Sequence, residues 1–238
     1  MKIMKYLAAV LLLSGCGSTD DFAAELPDGA VPLGPAPSYE EWLTSEGGDT
    51  VSKANNNRDA DHATTIVLHE GYWGQFATRS DYCPAGSFAY RINQKFEAYQ
   101  GSGDDTATNA ISLHCFDRTT GAFTAYATSD QGRYGTWRAT AHGWPESVAS
   151  PMRGGTVGYQ PSMGSSDDWA VMDLQVDFIG AHGANVPGEY MWRDPRWDHP
   201  EACPTGTAVC GIKTQVEPSQ GSGDDTSLNG VAFECCYF

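Results

Sequence analysis

Three stretches of the chain alternate apolar and polar residues with a period of two. Ile111, Leu113 and Cys115 share one face in the first. Met172, Leu174, Val176 and Phe178 share it in the second, with Asp173, Gln175 and Asp177 opposite, and Val231, Phe233 and Cys235 repeat it in the third. That period belongs to a strand with one buried face. Each stretch follows an acidic pair set in small residues: GSGDDT at Gly101–Thr106, GSSDDW at Gly164–Trp169 and GSGDDT again at Gly221–Thr226. Glycine adopts positive φ at little cost, so each motif marks a tight connection. Each unit therefore predicts strand, acidic turn, strand. No strong amphipathic helix interrupts the pattern, and the expected fold class is all-β.

The units align without gaps as Glu97–Cys115, Gln160–Phe178 and Glu217–Cys235. Asp104, Asp167 and Asp224 are then equivalent, as are Asp105, Asp168 and Asp225. The internal repeat divides the domain into units of about 64–118, 124–180 and 187–238.

The cysteines follow the same repeat. Cys83 and Cys115 stand as far apart as Cys203 and Cys235. In the middle unit those two places project onto Glu146 and Phe178, so both cysteines are missing together, as bonded partners would be. Cys210 and Cys236 occur only in the third unit. The predicted disulfides are Cys83–Cys115, Cys203–Cys235 and Cys210–Cys236. An exchange of partners between Cys203 and Cys210 stays open, because Cys235 and Cys236 are adjacent. Zinc is the rival reading, but no C-x-x-C occurs and no metal is expected.

The N-terminus departs from this pattern. Lys2 and Lys5 precede an apolar run that ends in Leu13-Ser14-Gly15-Cys16. Residues 1–15 read as an export signal, and the last four residues resemble a bacterial lipobox, which would make Cys16 the lipidated N-terminus. Plain secretion with cleavage near Gly15 or Gly17 is the alternative. Gly17 after the cysteine implies an outer-membrane or cell-surface location in a two-membrane cell. Residues 16–61, rich in Pro, Gly, Asn and acids, read as a flexible tether with room for a short helix near Tyr39–Leu43. The β domain is expected over 62–238. An even number of cysteines after Cys16 fits an oxidising compartment.

Charge narrows the partners. The chain carries 14 basic and 30 acidic residues, a balance of −16. Phosphate backbones would be repelled, so nucleic acid is not expected as a partner.

YWGQF (Tyr72–Phe76), the run from Cys83 to Cys115 and the run from Cys203 to Cys236 together resemble the vitelline membrane outer layer protein I family. The third unit is the most specific, with CG, QVEP, QGSGDDT and a terminal CC in order. The middle unit departs. It lacks the cysteine pair, holds Gln160 in place of Glu97 and Glu217, holds Trp169 in place of Thr106 and Thr226, and carries extra text around His142–Met152. The resemblance implies a β-prism of three Greek-key sheets about a pseudo-threefold axis. It also implies an extracellular matrix or coat role, with a link to binding or transfer of chito-oligosaccharides.

Three chemistries compete for the acidic pairs. An Asp at a bend accepts backbone N–H bonds, and three equivalent copies suit a symmetric scaffold. Calcium would need more oxygens than one pair supplies. Glycan chemistry needs two carboxyls about 5–9 Å apart, for which Glu97 with Asp104 or Asp105, and Glu217 with Asp224 or Asp225, are the candidates. Trp192 and Trp197, in loop text, are candidates for an exposed sugar platform. Trp73 and Trp137, near equivalent places, are expected in the core. His114, opposite Ile111 and Leu113, is expected on a solvated face. The histidines form no metal motif, and no cofactor fingerprint is present. The expected function is an envelope-anchored surface module that binds carbohydrate or contributes structure. Its partners would be a glycan or envelope component and, through the lipid anchor, a membrane. The alternative is an enzyme acting on amino-sugar oligosaccharides with paired carboxylates.

Overall fold

The computed structural model describes residues 26, 30–44, 58–98, 106–143, 146–162, 170–186, 195–218 and 226–238. Its elements run α1 (Tyr39–Thr44), β1 (His62–His69), β2 (Gln75–Phe76), β3 (Asp81–Tyr82), β4 (Ser87–Phe96), β5 (Thr108–Asp117), β6 (Phe123–Thr128), β7 (Thr136–Trp137) and β8 (Ala141–His142). They continue with β9 (Met152–Tyr159), β10 (Val171–Phe178), β11 (Ala181–Val186), β12 (Arg196–Trp197), β13 (Glu201–Ala202), β14 (Thr207–Val216) and β15 (Leu228–Tyr237).

These strands form three antiparallel sheets of five. Sheet one runs β6-β5-β4-β7, sheet two β11-β10-β9-β12 and sheet three β1-β15-β14-β2, with β8, β13 and β3 pairing beside β4, β9 and β14 respectively. Three hairpin-connected strands, with a fourth returning beside the first, make a Greek key. Sheets one and two take their outer strands, β6 to β8 and β11 to β13, from the chain that follows β5 and β10. In the third sheet β1 holds the place of β6 and β11, and β2 and β3 hold the places of β7 and β8. The N-terminal strand β1 pairs Ile66 with Phe233 and His62 with Cys236 of β15.

The inner faces of all three sheets meet in one core. Ile66, Ile92, Ile111, Leu113, Val157, Leu174, Val176, Ile212, Val231 and Phe233 all belong to it. Fully burying one such side chain contributes about 1.5–3 kcal/mol. This is the expected β-prism: period-two strands with the buried set turned to a common centre.

The three disulfides form as predicted, Cys83–Cys115, Cys203–Cys235 and Cys210–Cys236, with Cα separations of 5.5, 5.7 and 5.7 Å. The middle unit needs a correction. Cys83 follows β3 and Cys203 follows β13, so their counterpart is the residue after β8, Gly143 and not Glu146. The extra residues lie beyond that position, so a gapless projection overshoots. A Cβ built on Gly143 would stand 2.6 Å from Cγ of Phe178. The aromatic ring fills the space that two sulfurs occupy in the other units. Glu146 instead binds Arg91 at 2.8 Å and His142 at 2.8 Å.

Part of the stretch expected to be a tether lies on the domain. Ser38 and Glu41 form a reciprocal capping box, Glu41 N donating to Ser38 Oγ at 3.2 Å and Ser38 N to Glu41 Oε2 at 2.9 Å, which starts α1. The helix buries Tyr39 and Trp42 in a cluster with Ala125 and Tyr126 of sheet one. Leu33 N donates to Glu146 O, Gly34 N to Gly121 O, and the Tyr126 hydroxyl to Pro37 O. Residues 31–44 thus act as a strap. Arg58 also belongs to the domain: it is 2% exposed and donates to the carbonyls of Pro84 at 3.0 Å and Ser87 at 2.8 Å.

Candidate functional site

The two GSGDDT motifs end in matching hooks. Glu97 Oε2 accepts Thr106 N at 3.2 Å and Thr106 Oγ1 at 2.7 Å. Glu217 Oε2 accepts Thr226 N at 3.1 Å and Thr226 Oγ1 at 2.6 Å. Asn109 and Asn229 each donate through Nδ2 to the same threonine hydroxyl at 2.6 Å. The residue after each threonine, Ala107 or Ser227, has φ of 49° or 55°. Such a backbone is uncommon outside glycine, and the hook holds it in place. Ser227 Oγ donates to Asn109 Oδ1 at 3.1 Å, joining the first hook to the third. Glu97 and Glu217, candidates for carboxylate chemistry, therefore brace the turn. Asp104, Asp105, Asp224 and Asp225 lie outside the described residues.

Thr226 and Asn229 also line a cleft of about 240 Å³ with His69, Tyr72, Trp73, Tyr159 and Asp198. The site draws on four parts of the chain: the end of β1 with its connection to β2, the end of β9, the residue after β12, and the start of β15. His69 Nδ1 donates to Asp198 Oδ2 at 2.6 Å, and its ring stacks on Tyr159 at 4.3 Å between centroids. Tyr159 and Asp198 thereby fix the imidazole from the face and the edge. Tyr72 and Trp73 stand at the rim, 80% and 46% exposed. Gln215 Nε2 donates to Gly71 O at 3.1 Å and Gly74 O at 3.2 Å, holding the backbone under these two rings. Gly74 has φ of 76° and lies against Val216, so the tight bend that presents Trp73 requires glycine.

Trp73 was expected in the core, paired with Trp137, and the register shows why it is not. Phe76 pairs with Gln215, Trp137 with Lys95 and Trp197 with Gly158, so these three aromatics are equivalent. Trp73 instead matches Tyr134, each one residue before a positive-φ glycine. The sequence signal for this pair is Gly-x-aromatic-Gly, GYWG at 71–74 and GRYG at 132–135. Trp137 is half-buried against Tyr39, with centroids 4.7 Å apart. Trp197 is 38% exposed on β12, while Trp192 and Cys16 lie outside the described residues. His69, Tyr159 and Asp198 were missed, because residues separated by the length of the domain carry no local pattern.

His114 corrects another expectation. It is 4% exposed on the outer face of sheet one, with its ring 4.5 Å from that of Tyr126. Burial, with a smaller contribution from Arg91, pushes its pKa down to about 3. The strap, by holding Tyr126, covers a face that strand alternation assigned to solvent.

The geometry defines a β-prism with an aromatic-rimmed polar cleft. The chain belongs to the vitelline membrane outer layer protein I family, whose model matches residues 54–238. It is 33% identical over 175 residues to the vitelline membrane outer layer protein 1 homolog of Mus musculus, covering 71% of this chain and 81% of that one. It is 32% identical over 184 residues to the homolog of Homo sapiens, covering 76% and 86%. Among solved structures, the Calystegia sepium agglutinin overlaps with a TM-score of 0.45 at 13% identity, covering 74% of this chain and 98% of that one. The three disulfides fit an exported protein.

Proposed function

We propose that this protein is an exported, envelope-anchored module that binds a glycan in the cleft rimmed by Tyr72 and Trp73. The observation that carries the reading is the exposed Tyr72 and Trp73 beside the fixed His69–Asp198 pair in one cleft. An aromatic face packs against the C–H face of a sugar ring, and polar groups at its edge select the hydroxyls. Membership of the family supports an extracellular binding or structural role. Binding is favoured over glycan cleavage or transfer, since Glu97 and Glu217 each hold a threonine already. Lipidation of Cys16 supplies the anchor. No helix among the described residues is long and apolar enough to cross a membrane.

The test is retention on a glycan array and on insoluble peptidoglycan and chitin, with wild type, Trp73→Ala and Asp198→Ala compared. Retention that drops at least tenfold in both variants at unchanged melting temperature is the expected result. Wild type that binds no glycan, or variants that bind as well as wild type, would overturn the assignment. For the anchor, Cys16→Ser should abolish incorporation of labelled palmitate and release the protein from the membrane fraction.

A further inference from the structure

A second cavity, about 540 Å³, lies on the outer face of sheet one. That volume falls within the roughly 300–1,000 Å³ of small-molecule sites. One wall is the sheet, with Arg91, Asn93, His114 and Trp137, and the other is the strap at Ala36–Glu40. The strap residues precede the stretch 54–238 that the family model matches.

Most of the charged side chains on the sheet side of the cavity have a protein partner. Arg91 and His142 both bind Glu146, and Arg138 lies over the ring of Phe96 at 5.0 Å. Beside these and the Glu40 carboxylate of the strap, the lining offers neutral hydrogen-bonding groups. Asn93, 6% exposed, and His114, 4% exposed, both line the cavity. Asn93 Oδ1 and both ring nitrogens of His114 have no hydrogen-bond partner among the described residues. Leaving a buried polar group unsatisfied costs about 1–3 kcal/mol. The Asn93 carbonyl requires a donor, and a neutral imidazole requires one donor and one acceptor. A hydroxyl group both donates and accepts, so neighbouring hydroxyls serve all three atoms. Trp137 and Tyr126 add aromatic surface to the same cavity.

We propose that this cavity is a second ligand site, taking one neutral sugar ring between Trp137 and the Asn93–His114 pair. The ring packs a C–H face on the indole and turns its hydroxyls to Asn93 and His114. The strap forms part of the site and encloses it on the side away from the sheet. The proposal stands independently of the Trp73 cleft, with which the cavity shares no residue.

The test uses the mature full-length chain titrated with D-glucose, D-galactose, D-mannose and N-acetyl-D-glucosamine. NMR signals of the His114 ring and the Trp137 indole report occupancy. Saturable shifts of both signals with at least one sugar are expected, weakened at least tenfold by Asn93→Ala and by Ala139→Trp. Ala139 is an exposed residue of the cavity wall, so its tryptophan variant fills the mouth without entering the core. The proposal fails if no sugar gives saturable shifts or if Ala139→Trp binds as wild type does. It also fails if Trp73→Ala abolishes the shifts while Ala139→Trp does not, which would place the sugar in the other cleft.

Discussion

Placing cysteines at Gly143 and Phe178 should give the middle unit the disulfide its neighbours have. Phe178 is 3% exposed, and its ring occupies the place of the missing sulfurs. Phe178→Cys alone should cost about 3–5 kcal/mol, the range for truncating a core aromatic. Gly143→Cys alone pushes a Cβ to 2.6 Å from Phe178 Cγ, an atom close to the backbone that cannot swing away. Overpacking of that kind costs about 1–3 kcal/mol. The double variant removes the clash, because the ring is gone. A bond there closes a loop of about 35 residues, worth about 4 kcal/mol on the chain-entropy model. The oxidised double variant should therefore lie within about 2 kcal/mol of wild type, although the two single changes add to a loss of about 4–8 kcal/mol. Reductant would open the native bridges as well, so the proper control is Gly143→Ser with Phe178→Cys, which cannot form the bond. Urea midpoints give the stabilities, and peptide mapping gives the linkage. Free thiols at 143 and 178 under oxidising conditions, or a double variant no more stable than its serine control, would refute the equivalence of Gly143 with Cys83 and Cys203.

Three other measurements test the buried polar groups and the strap. Burial raises the pKa of Asp81 to about 6 against a hydrogen bond from Thr128 N, so its contribution to stability grows as pH falls from 6 towards 3.8. His114, with its pKa lowered to about 3, does the opposite: its contribution is whole above 6.5 and is lost as pH falls. At about 1.4 kcal/mol per unit, these effects are on the order of 3 and 5 kcal/mol. Urea midpoints between pH 4 and 7 should thus fall more steeply on acidification in Asp81→Asn than in wild type, and less steeply in His114→Phe; parallel curves for all three would remove both assignments. Glu97→Gln and Glu217→Gln should each lower the melting temperature through a weakened hook, by about 1–3 kcal/mol, and melting unchanged in both would mean the hooks brace nothing. Trp42→Ala should speed protease cleavage within residues 31–44 while the global urea midpoint stays put; a loss of unfolding free energy of roughly 3–5 kcal/mol, that of a core tryptophan, would make the strap integral to the prism.

The contrast between prism and strap shows where sequence reasoning has purchase on this molecule. Ile111, Leu113 and Cys115 reveal their burial because strand geometry repeats every two residues, and the same pattern recurs twice more. The disulfides were legible for the same reason: an absent pair in one unit identifies a present pair in another. Periodicity is a statement about one strand and its own two faces, and it says nothing of what is laid over them. His114 sits opposite the core face, as alternation requires, yet it is buried because Tyr126 and the strap cover it. Composition misread the strap as well, since averaging over Pro, Gly and acidic residues diluted two anchors, Tyr39 and Trp42. The capping box of Ser38 and Glu41 was the local signal that could have rescued it. The cleft fails differently. His69 and Asp198 are 129 residues apart in sequence and 2.6 Å apart in space. They meet because β1 completes a sheet built from the C-terminus while β12 joins the sheet before it. The candidate site thus follows from closure of the prism, a property of the whole chain. Any circular permutant that keeps β1 beside β15 should therefore keep the cleft as well.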